Sequence, residues 1–264
     1  MGVINVTPDS FADGGRFANS AAAVTHALRM IEDGAGLIDV GGESTRPGAQ
    51  AVGAEEEIDR VLPVIEALAT STKIPISVDT SKPAVMSAAI RAGASMINDV
   101  RALREPGAIE AAARTQATIC LMHMQGEPRT MQADPRYGDV VAEVRDFLRE
   151  RAAACLASGI AKDRLVVDPG IGFGKRLEHN LALLAGLPTL TALGWPVLIG
   201  VSRKSMFGTL LGRAVEQRLA GSIAMATAAV LAGASIVRTH DVAATVDAVK
   251  VAVALRTAGY SRGV

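Results

Sequence analysis

Polar side chains stand at the ends of most short apolar runs in this 264-residue sequence. They are Asn5, Asp39, Asp79, Asn98, His123, Asp168, Arg203–Lys204 and Arg238–His240. Carboxylates and amides such as Asp79 and Asn98 can pair with the donor-rich edge of an amino-pyrimidinone ring. Any one of these residues could equally cap a helix or start a turn. If they converge on one surface, however, a binding site explains them better than local structure does.

Eight strand–helix pairs are expected to position these residues. The strand candidates are Met1–Val6, Leu37–Val40, Ile74–Val78, Ser95–Asn98, Thr118–Met122, Leu165–Val167, Val197–Gly200 and Ser235–Arg238. The helical patterns are Ala21–Asp33, Ala54–Ala69, Pro83–Ala92, Gly107–Thr115, Val140–Ser158, His179–Ala185, Glu216–Leu231 and Asp241–Thr257. Such alternation implies a parallel sheet, and about eight units favour a closed barrel over an open sheet. We therefore predict an α/β protein with the (β/α)8 TIM-barrel fold and an active site at the C-terminal ends of the strands.

The length of the chain fits one barrel of about 250 residues, although two smaller domains would also fit. No Ser/Gly-rich or charged linker divides it, so we expect a single domain over residues 1–264. The 27 Lys and Arg residues balance 27 Asp and Glu residues, which gives no sign of nucleic-acid or membrane binding. The first ten residues lack the pattern of a secretory signal, and Cys120 and Cys155 are interpreted as buried thiols in a reducing cytoplasm.

A weak internal repeat predicts the relative position of three polar residues. In each copy a Gly–Ala pair precedes two apolar residues and then a polar one, with the same spacing. The glycines suit the left-handed position that ends a helix. The copies run from Gly34 to Asp39, from Gly93 to Asn98 and from Gly233 to Arg238. The three polar residues should therefore lie at one level, at the C-terminal ends of their strands.

Two basic segments follow the seventh and eighth strand candidates. They are Ser202-Arg203-Lys204-Ser205 and Arg238-Thr239-His240-Asp241. In barrels of this kind the loops after strands seven and eight often bind phosphate, and helix N-termini there also favour anions. A solvated basic pair on the surface is the simpler alternative for either segment. The four His residues form no zinc-binding pattern, and HExxH, CxxC and Walker motifs are absent from the sequence.

Two further segments are candidates for loops over the predicted cavity. The first runs from Asn5 through a Pro- and Gly-containing stretch, where Asn5 could give an oxygen to a metal–phosphate unit. The second, Gly41–Gly48, contains Arg46, whose planar fork suits pyrophosphate. Each segment also fits an ordinary turn or a flexible loop with a solvated side chain.

Together these segments resemble the dihydropteroate synthase family. The matching motifs are Met1–Phe11, Gly42–Gly48, Ser77-Val78-Asp79-Thr80, Ile97-Asn98-Asp99, Asp168-Pro169-Gly170, Gly172-Phe173-Gly174-Lys175, Ser202–Ser205, and Arg238 with His240-Asp241. They occur in the family's order and span the whole chain. The resemblance implies a transferase of folate synthesis that joins 6-hydroxymethyl-7,8-dihydropterin pyrophosphate to p-aminobenzoate. It also implies that pyrophosphate departs, with help from Mg²⁺, before the amine attacks.

The resemblance assigns an expected role to each matching residue. The expected catalytic residues are Asp79, Lys204, Arg238 and His240. The expected pterin pocket consists of Asp79, Asn98, Met122, Asp168 and Lys204. The p-aminobenzoate site would be formed by Thr45, Arg46, Pro47, Phe173, Lys204 and Ser205. Pyrophosphate would be held by Arg238 and His240 with Asn5, which is also the expected Mg²⁺ ligand.

The resemblance further implies a homodimer with small-molecule substrates and two closing loops, Thr7–Asn19 and Glu43–Gly53. Members of the family usually have residues before the first strand, whereas this sequence starts inside it. Two other functions stay open. A related barrel that passes methyl groups from methyltetrahydrofolate to a corrinoid protein would share the pterin-binding residues but would not need the basic pairs. A non-catalytic barrel could bind a pterin or a phosphorylated metabolite without converting it.

Overall fold

The computed structural model of the chain describes residues 1–7, 15–44 and 50–260, with residues 15–19 as backbone only. Within these ranges eight parallel strands follow one another: β1 (Gly2–Asn5), β2 (Ile38–Gly41), β3 (Ile76–Asp79), β4 (Met96–Asp99), β5 (Thr118–Met122), β6 (Leu165–Asp168), β7 (Leu198–Gly200) and β8 (Ile236–Arg238). Strands β1 to β6 form one continuous sheet, and β7 pairs with β8. Parallel bridges from Val167 to Val197 and from Thr239 to Gly2 complete the circle. The (β/α)8 barrel is therefore confirmed.

Helices cover the outside of the barrel. Those in the described ranges are α1 (Gly15–Glu32), α2 (Ala54–Ser71), α3 (Pro83–Arg91), α4 (Ala108–Ala113), α5 (Val140–Ala157), α6 (Leu177–Ala185), α7 (Leu187–Thr191), α8 (Met206–Leu211), α9 (Leu219–Leu231) and α10 (Val242–Thr257). The eight predicted helices are present, although α1 begins at Gly15 rather than at Ala21. Helices α7 and α8 were not predicted, because five or six residues are too few to show a hydrophobic period. The predicted start of α9 at Glu216 is wrong, since residues 215–217 form a separate 3₁₀ turn.

Apolar side chains fill the barrel below its polar end. Asn98 and Met96 lie on the same face of β4, because alternate residues of a strand point the same way. Asn98 hydrogen-bonds across to Asp39 on β2, so this face looks into the barrel. In the interior Met96 packs with Cys120, Val166 and Leu198. The opposite faces of the strands belong to larger apolar clusters against the helices, so the polar residues above stand on a packed floor.

The three glycines of the repeat end helices as predicted. Gly34, Gly93 and Gly233 have φ values of +97°, +114° and +102°, in the left-handed region that favours glycine. Each follows its helix and leads into the strand that carries the polar residue. Among the described residues, no helix combines the length and the apolar character that a membrane span requires. Cys120 and Cys155 are buried free thiols, as expected.

Candidate active site

An open cavity of about 1320 Å³ lies at the C-terminal ends of the strands. Ten residues that the sequence pointed to line it: Asn5, Asp79, Asn98, Met122, Asp168, Phe173, Lys204, Ser205, Arg238 and His240. Thr45, Arg46 and Pro47 lie outside the described residues, as do large parts of the two expected loops. The fold thus brings every described member of the expected site to one place.

Arg238, at the end of β8, connects the polar side chains at the base of the cavity through hydrogen bonds. Its Nε donates to Asp39 Oδ2 at 2.7 Å, and its second terminal nitrogen donates to Asp79 Oδ2 at 2.9 Å. Asn98 Nδ2 donates to the same Asp39 oxygen at 3.1 Å. The three polar residues of the repeat therefore lie at one level, as predicted. Burial acts to lower the pKa of Arg238, but the charges of Asp39 and Asp79 raise it well above its usual range.

Asp79, at the end of β3, is a buried carboxyl group whose pKa lies near neutral pH. Only 8% of the residue is exposed. Burial raises the pKa of this carboxyl to about 7, against the opposing effect of Arg238. Neighbouring carboxylates, first among them Asp39, raise it further. When it is ionised, Asp79 can stabilise a positive charge that develops in the cavity.

Asp168, at the end of β6, also lines the cavity. Its Oδ1 accepts a hydrogen bond of 2.7 Å from the backbone N–H of Gly170. Burial raises the pKa of Asp168, while this hydrogen bond and the charge of Lys204 lower it. Burial also lowers the pKa of Lys204, to about 8, and the nearby Arg238 adds to that effect. The Lys204 ammonium lies 4.2 Å from the ring centroid of Phe173, which is a cation–π distance.

The turn after β7 holds Lys204 through a strained backbone. Arg203 has a φ of +56°, which is rare for a residue with a side chain. Its N–H donates to Ser222 Oγ at 2.9 Å, and its carbonyl accepts from Arg218 at 3.2 Å. These contacts with residues outside the turn hold the unfavourable conformation. The next residue, Lys204, is thereby turned into the cavity.

His240 and Arg203 form the more exposed side of the site. Ser202 Oγ lies 3.0 Å from His240 Nδ1 and accepts from the His240 N–H at 3.2 Å. Ser202 therefore fixes the imidazole at the cavity edge. Arg203 Nε donates to Asp241 Oδ2 at 3.0 Å. The charge of Arg203 is thus partly balanced by Asp241, as that of Arg238 is by Asp39 and Asp79. Lys204 and His240 line the same cavity.

Two polar strand ends do not line the cavity, which corrects the expectation of one shared mouth. Asp39 is fully buried beneath Arg238. His123 is 7% exposed and lies behind the segment that follows β6, where its Nδ1 is 2.9 Å from Lys175 Nζ. The repeat gave a signal for Asp39, whereas Lys175 was recognised only as part of the motif Gly172–Lys175 and was given no role. The lining residues Met131 and Gln132 were also missed, since they lie between β5 and α5 in a segment without periodicity.

Asn5, at the end of β1, is the residue expected to bind a metal. Its side-chain oxygen points toward the region of Asp79, because both would lie within 3.9 Å of a Cβ placed on Gly41. In the part of the chain that the structure describes, no group of three or more His, Cys, Asp or Glu side chains could hold a metal ion alone. Mg²⁺ is often bound through one or two protein oxygens with substrate phosphates and water. The donor set around Asn5 fits that mode of binding.

The fold and the site define a barrel enzyme whose cavity has buried acidic and amide side chains beside cationic ones. The sequence model of the pterin binding enzyme family matches residues 1–240. The dihydropteroate synthases of Escherichia coli K12 and Haemophilus influenzae are 55% and 51% identical to this chain over 251 residues. The alignments cover 95% of this chain and 89% and 91% of those proteins. The chain belongs to the pterin binding enzyme family and, within it, to the dihydropteroate synthases, which are transferases.

Solved structures of high similarity share the whole fold. A Yersinia pestis dihydropteroate synthase in a sulfonamide complex superposes with a TM-score of 0.93 at 52% identity, over 97% of this chain and 94% of that one. A Xanthomonas albilineans dihydropteroate synthase with 4-aminobenzoic acid gives 0.92 at 56% identity, over 97% and 92%. The same enzyme with 7,8-dihydropteroate gives 0.88 at 52% identity, also over 97% and 92%.

Proposed function

We propose that this cavity joins 6-hydroxymethyl-7,8-dihydropterin pyrophosphate to p-aminobenzoate, giving 7,8-dihydropteroate and pyrophosphate. The observation that supports the proposal most is that acidic and amide side chains and cationic side chains line the same cavity. Buried Asp79, Asn98 and Asp168 suit a pterin, and Lys204, Arg238 and His240 suit pyrophosphate. Membership of the dihydropteroate synthases supports it. The ligands of the similar Xanthomonas albilineans structures, 4-aminobenzoic acid and 7,8-dihydropteroate, are a substrate and a product of this reaction.

The pterin ring is proposed to bind against the acidic and amide side chains. A pterin presents its amino group and ring N–H along one edge, and carboxylates accept such hydrogen bonds. Asp79 and Asp168 are 8% and 5% exposed, so these bonds would be shielded from water. Asn98 can both donate and accept, and its amide already donates to Asp39. Met122 would pack against the ring, and Lys204 would donate to its acceptors.

The pyrophosphate is proposed to bind at the ends of β1, β7 and β8. Arg238 offers a fixed guanidinium, and His240 is held by Ser202. Asn5 would contribute an oxygen ligand to Mg²⁺ bound together with the pyrophosphate. When bound there, Mg²⁺ supplies charge neutralisation to the leaving group. Arg238, Lys204 and His240 would add positive charge from the protein, which lowers the barrier to departure.

The proposed chemistry is departure followed by attack. The bond between the pterin methylene carbon and the pyrophosphate oxygen breaks, and the electron pair leaves with pyrophosphate. The cation that remains is shared with the pterin ring, and ionised Asp79 stabilises it. The amine of p-aminobenzoate then forms the C–N bond and loses a proton. This order suits a weak nucleophile, because the amine meets a cation rather than a neutral carbon.

The p-aminobenzoate subsite is proposed to lie beside Phe173, Lys204 and Ser205. Phe173 gives an apolar surface, and Lys204 gives a positive charge that suits the carboxylate of the substrate. Thr45, Arg46 and Pro47 would complete this subsite. Their contribution rests on the motif alone, because they lie outside the described residues.

Positional isotope exchange tests the order of these steps. The substrate is labelled with ¹⁸O in the bridge between the methylene and the phosphate and is incubated with enzyme and Mg²⁺ but without p-aminobenzoate. Departure before attack predicts that the label spreads into non-bridging positions of recovered substrate. The same enzyme should form product once p-aminobenzoate is added. If it does so but the label has stayed in the bridge, the result would instead indicate direct displacement by the amine.

Methyl transfer and binding without conversion are the alternative functions. A methyl-transfer barrel would release no pyrophosphate, whereas the proposed reaction releases one for each product molecule. A binding protein would give heat on titration with the pterin substrate but no product after p-aminobenzoate is added. The cationic side of the cavity favours the proposed reaction over methyl transfer, which uses no pyrophosphate group, and product formation separates the proposed reaction from binding alone.

We further propose that residues 1–264 act as one domain, in the cytoplasm, as a homodimer. Helix α10 supports the dimer, because it exposes three apolar side chains: Val251 at 59%, Val253 at 48% and Leu255 at 42%. Apolar side chains grouped on one helix are typical of subunit interfaces. The buried thiols of Cys120 and Cys155 fit a reducing compartment.

A further inference from the structure

The segment between β6 and α6 packs closely on the segment that follows β5. Gly170, Gly172 and Gly174 have φ values of +66°, +81° and +59°, so alternate residues take the left-handed conformation. A Cβ on Gly170 would lie 1.9 Å from the His123 carbonyl oxygen, and one on Gly174 would lie 2.4 Å from the Gln125 carbonyl oxygen. Contacts this close leave no room for a side chain. We call residues 169–176 the β6 loop.

Lys175 is a buried lysine inside this loop that the proposed chemistry does not use. It is 3% exposed. Its Nζ lies 2.9 Å from the Phe173 carbonyl oxygen, 3.0 Å from that of Gly170 and 2.9 Å from His123 Nδ1. The His123 carbonyl oxygen, at 3.4 Å, is a fourth and longer contact. Burial lowers the pKa of Lys175 to about 7, and the protonated form has three N–H donors for these acceptors. Burial lowers the pKa of His123 to about 2, so its ring is neutral and can offer Nδ1 as an acceptor.

The β6 loop carries groups of both proposed subsites. At its start, the Gly170 N–H donates to the Asp168 carboxylate on the pterin side. In its middle, the Phe173 ring lies 4.2 Å from the Lys204 ammonium on the p-aminobenzoate side. Lys175 is bonded to the carbonyls of Gly170 and Phe173, the same two residues. Its ammonium therefore sets the distance between the two parts of the loop.

We propose that Lys175 is a positioning residue for the p-aminobenzoate subsite, and that its buried ammonium fixes the backbone that places Phe173 opposite Lys204. This inference rests on the proposed function. Asp168 is also held by the pairing of β6 with β5, whereas the backbone hydrogen bonds of Phe173 come from the loop itself, and only its ring packs on neighbouring segments. Loss of the ammonium should therefore displace Phe173 more than Asp168. A displacement of about 1 Å is enough to weaken catalysis strongly.

Other contacts should keep the loop folded without Lys175. The Tyr137 hydroxyl donates to the Gly174 carbonyl at 2.8 Å, and Gln132 Nε2 donates to the Gly172 carbonyl at 2.6 Å. Both anchors come from the segment between β5 and α5 and do not involve the ammonium. Removal of Lys175 should therefore change the shape of the loop while its attachment persists.

The test compares Lys175→Met with the wild-type enzyme, since Met keeps most of the side-chain length without the charge. We expect the KM for p-aminobenzoate to rise about 10-fold or more, because Phe173 moves. The Kd of 6-hydroxymethyl-7,8-dihydropterin, measured by calorimetry, should change by less than about threefold, because the strand pairing still holds Asp168. Lys162→Met, which removes an exposed lysine, is the matched control and should leave both constants unchanged.

A milder variant covers the case in which Lys175→Met folds poorly. Tyr137→Phe removes only the hydroxyl that holds Gly174, and it should raise the KM for p-aminobenzoate about two- to fourfold without changing pterin binding. An unchanged KM for p-aminobenzoate in folded Lys175→Met, or an equal loss for both ligands, would overturn the inference. Failure of the proposed function is distinct, because wild-type enzyme would then make no dihydropteroate. Calorimetry of p-aminobenzoate in the presence of pyrophosphate would still compare Lys175→Met with wild type.

Discussion

At the scale of single residues, the site depends on charges that are buried and then paired. Asp39 is fully buried and meets Arg238 and Asn98 through one oxygen. Removing one member of such a buried pair costs about 3–5 kcal/mol, because the other charge is left without a partner. Arg238 is therefore held in a fixed position by Asp39 and Asp79. The arrangement also places Asp79 under two opposing influences, burial and the guanidinium.

Replacing Asp79 with Ala tests its role at the cation. We expect kcat to fall about 100-fold or more, because one transition-state contact in a buried site is worth that much. Asp146→Ala, which removes a partly exposed carboxylate on α5 away from the cavity, should keep kcat near that of wild type. The measurement is steady-state product formation, with circular dichroism to show that both variants are folded. Near-normal turnover by the Asp79 variant would rule out the proposed stabilisation.

The pH dependence of the reaction follows from the same carboxylate. Burial raises the pKa of Asp79 to about 7, and the ionised form is the active one. The value of kcat/KM should therefore rise as pH increases toward 7. It should fall again above about pH 8, because burial lowers the pKa of Lys204 to about 8 and the ammonium is then lost. Rates measured from pH 5.5 to 9.5 check this, and a flat profile below pH 7 would contradict it.

The sequence predicted the cavity residues because their chemical types stand at strand ends. Asp79, Asn98 and Asp168 were identified in this way, and the structure places them around one cavity. Lys175 could not be identified, because its acceptors are mainly backbone carbonyls brought together by left-handed glycines. The burial of Asp39 was not evident either, since the repeat gives the level of a residue but not the depth of its side chain.

At the scale of elements, glycines decide how closely the loops approach one another. The β6 loop lies against the carbonyls of His123 and Gln125, at positions where any side chain would overlap. The glycines of the repeat have a simpler role, since each ends a helix in the left-handed conformation. Left-handed glycines in this fold therefore serve two purposes, close contact and helix termination.

A comparison of Gly170→Ala with Gly159→Ala separates the effect of close contact from that of left-handed helix termination. Gly170 has a φ of +66°, and a Cβ there would lie 1.9 Å from the His123 carbonyl oxygen. We expect a loss of about 3 kcal/mol or more in the free energy of unfolding, from left-handed strain together with backbone displacement. Gly159→Ala is the control, because its φ is +84° but no atom lies within 4 Å of the new Cβ. That variant should lose only about 1 kcal/mol in urea denaturation. Equal losses would show that close contact is not important.

The elements themselves were largely predictable from periodicity. The eight strands lie within two residues of the expected bounds, because each is a buried apolar run between a helix and a polar residue. Helices α7 and α8 escaped prediction because they are short and are held by tertiary packing. The bounds of α1 were shifted because the pattern near Gly15 is not amphipathic.

At the scale of the whole molecule, the barrel closes through a small number of backbone bridges. Val167 with Val197 and Gly2 with Thr239 join the six-stranded sheet to the pair β7 and β8. Closure brings β8 beside β1, so Arg238 reaches Asp39 although 199 residues separate them. The chain order of the eight units therefore determines which side chains meet.

The exposed apolar residues of α10 give a prediction about assembly. Val251→Glu introduces a charge at the most exposed apolar residue of this helix, so the proposed dimer should dissociate at micromolar concentrations. Leu156→Glu, at a 40% exposed apolar position on α5, is the matched control and should stay dimeric. Sedimentation velocity gives the mass of each species. A Val251 variant that remains a dimer would show that the interface lies elsewhere. A wild-type monomer would show that there is no dimer interface.

The most direct test of the function is pyrophosphate release from dihydropterin pyrophosphate, Mg²⁺ and p-aminobenzoate, with each component omitted in turn. The proposed function predicts one 7,8-dihydropteroate for each pyrophosphate, and no dihydropteroate when any component is missing. Arg238→Met should reduce the rate strongly, because it removes the guanidinium that is proposed to bind the leaving group. A folded enzyme that binds the pterin but forms no dihydropteroate would contradict the proposed function and favour binding without conversion.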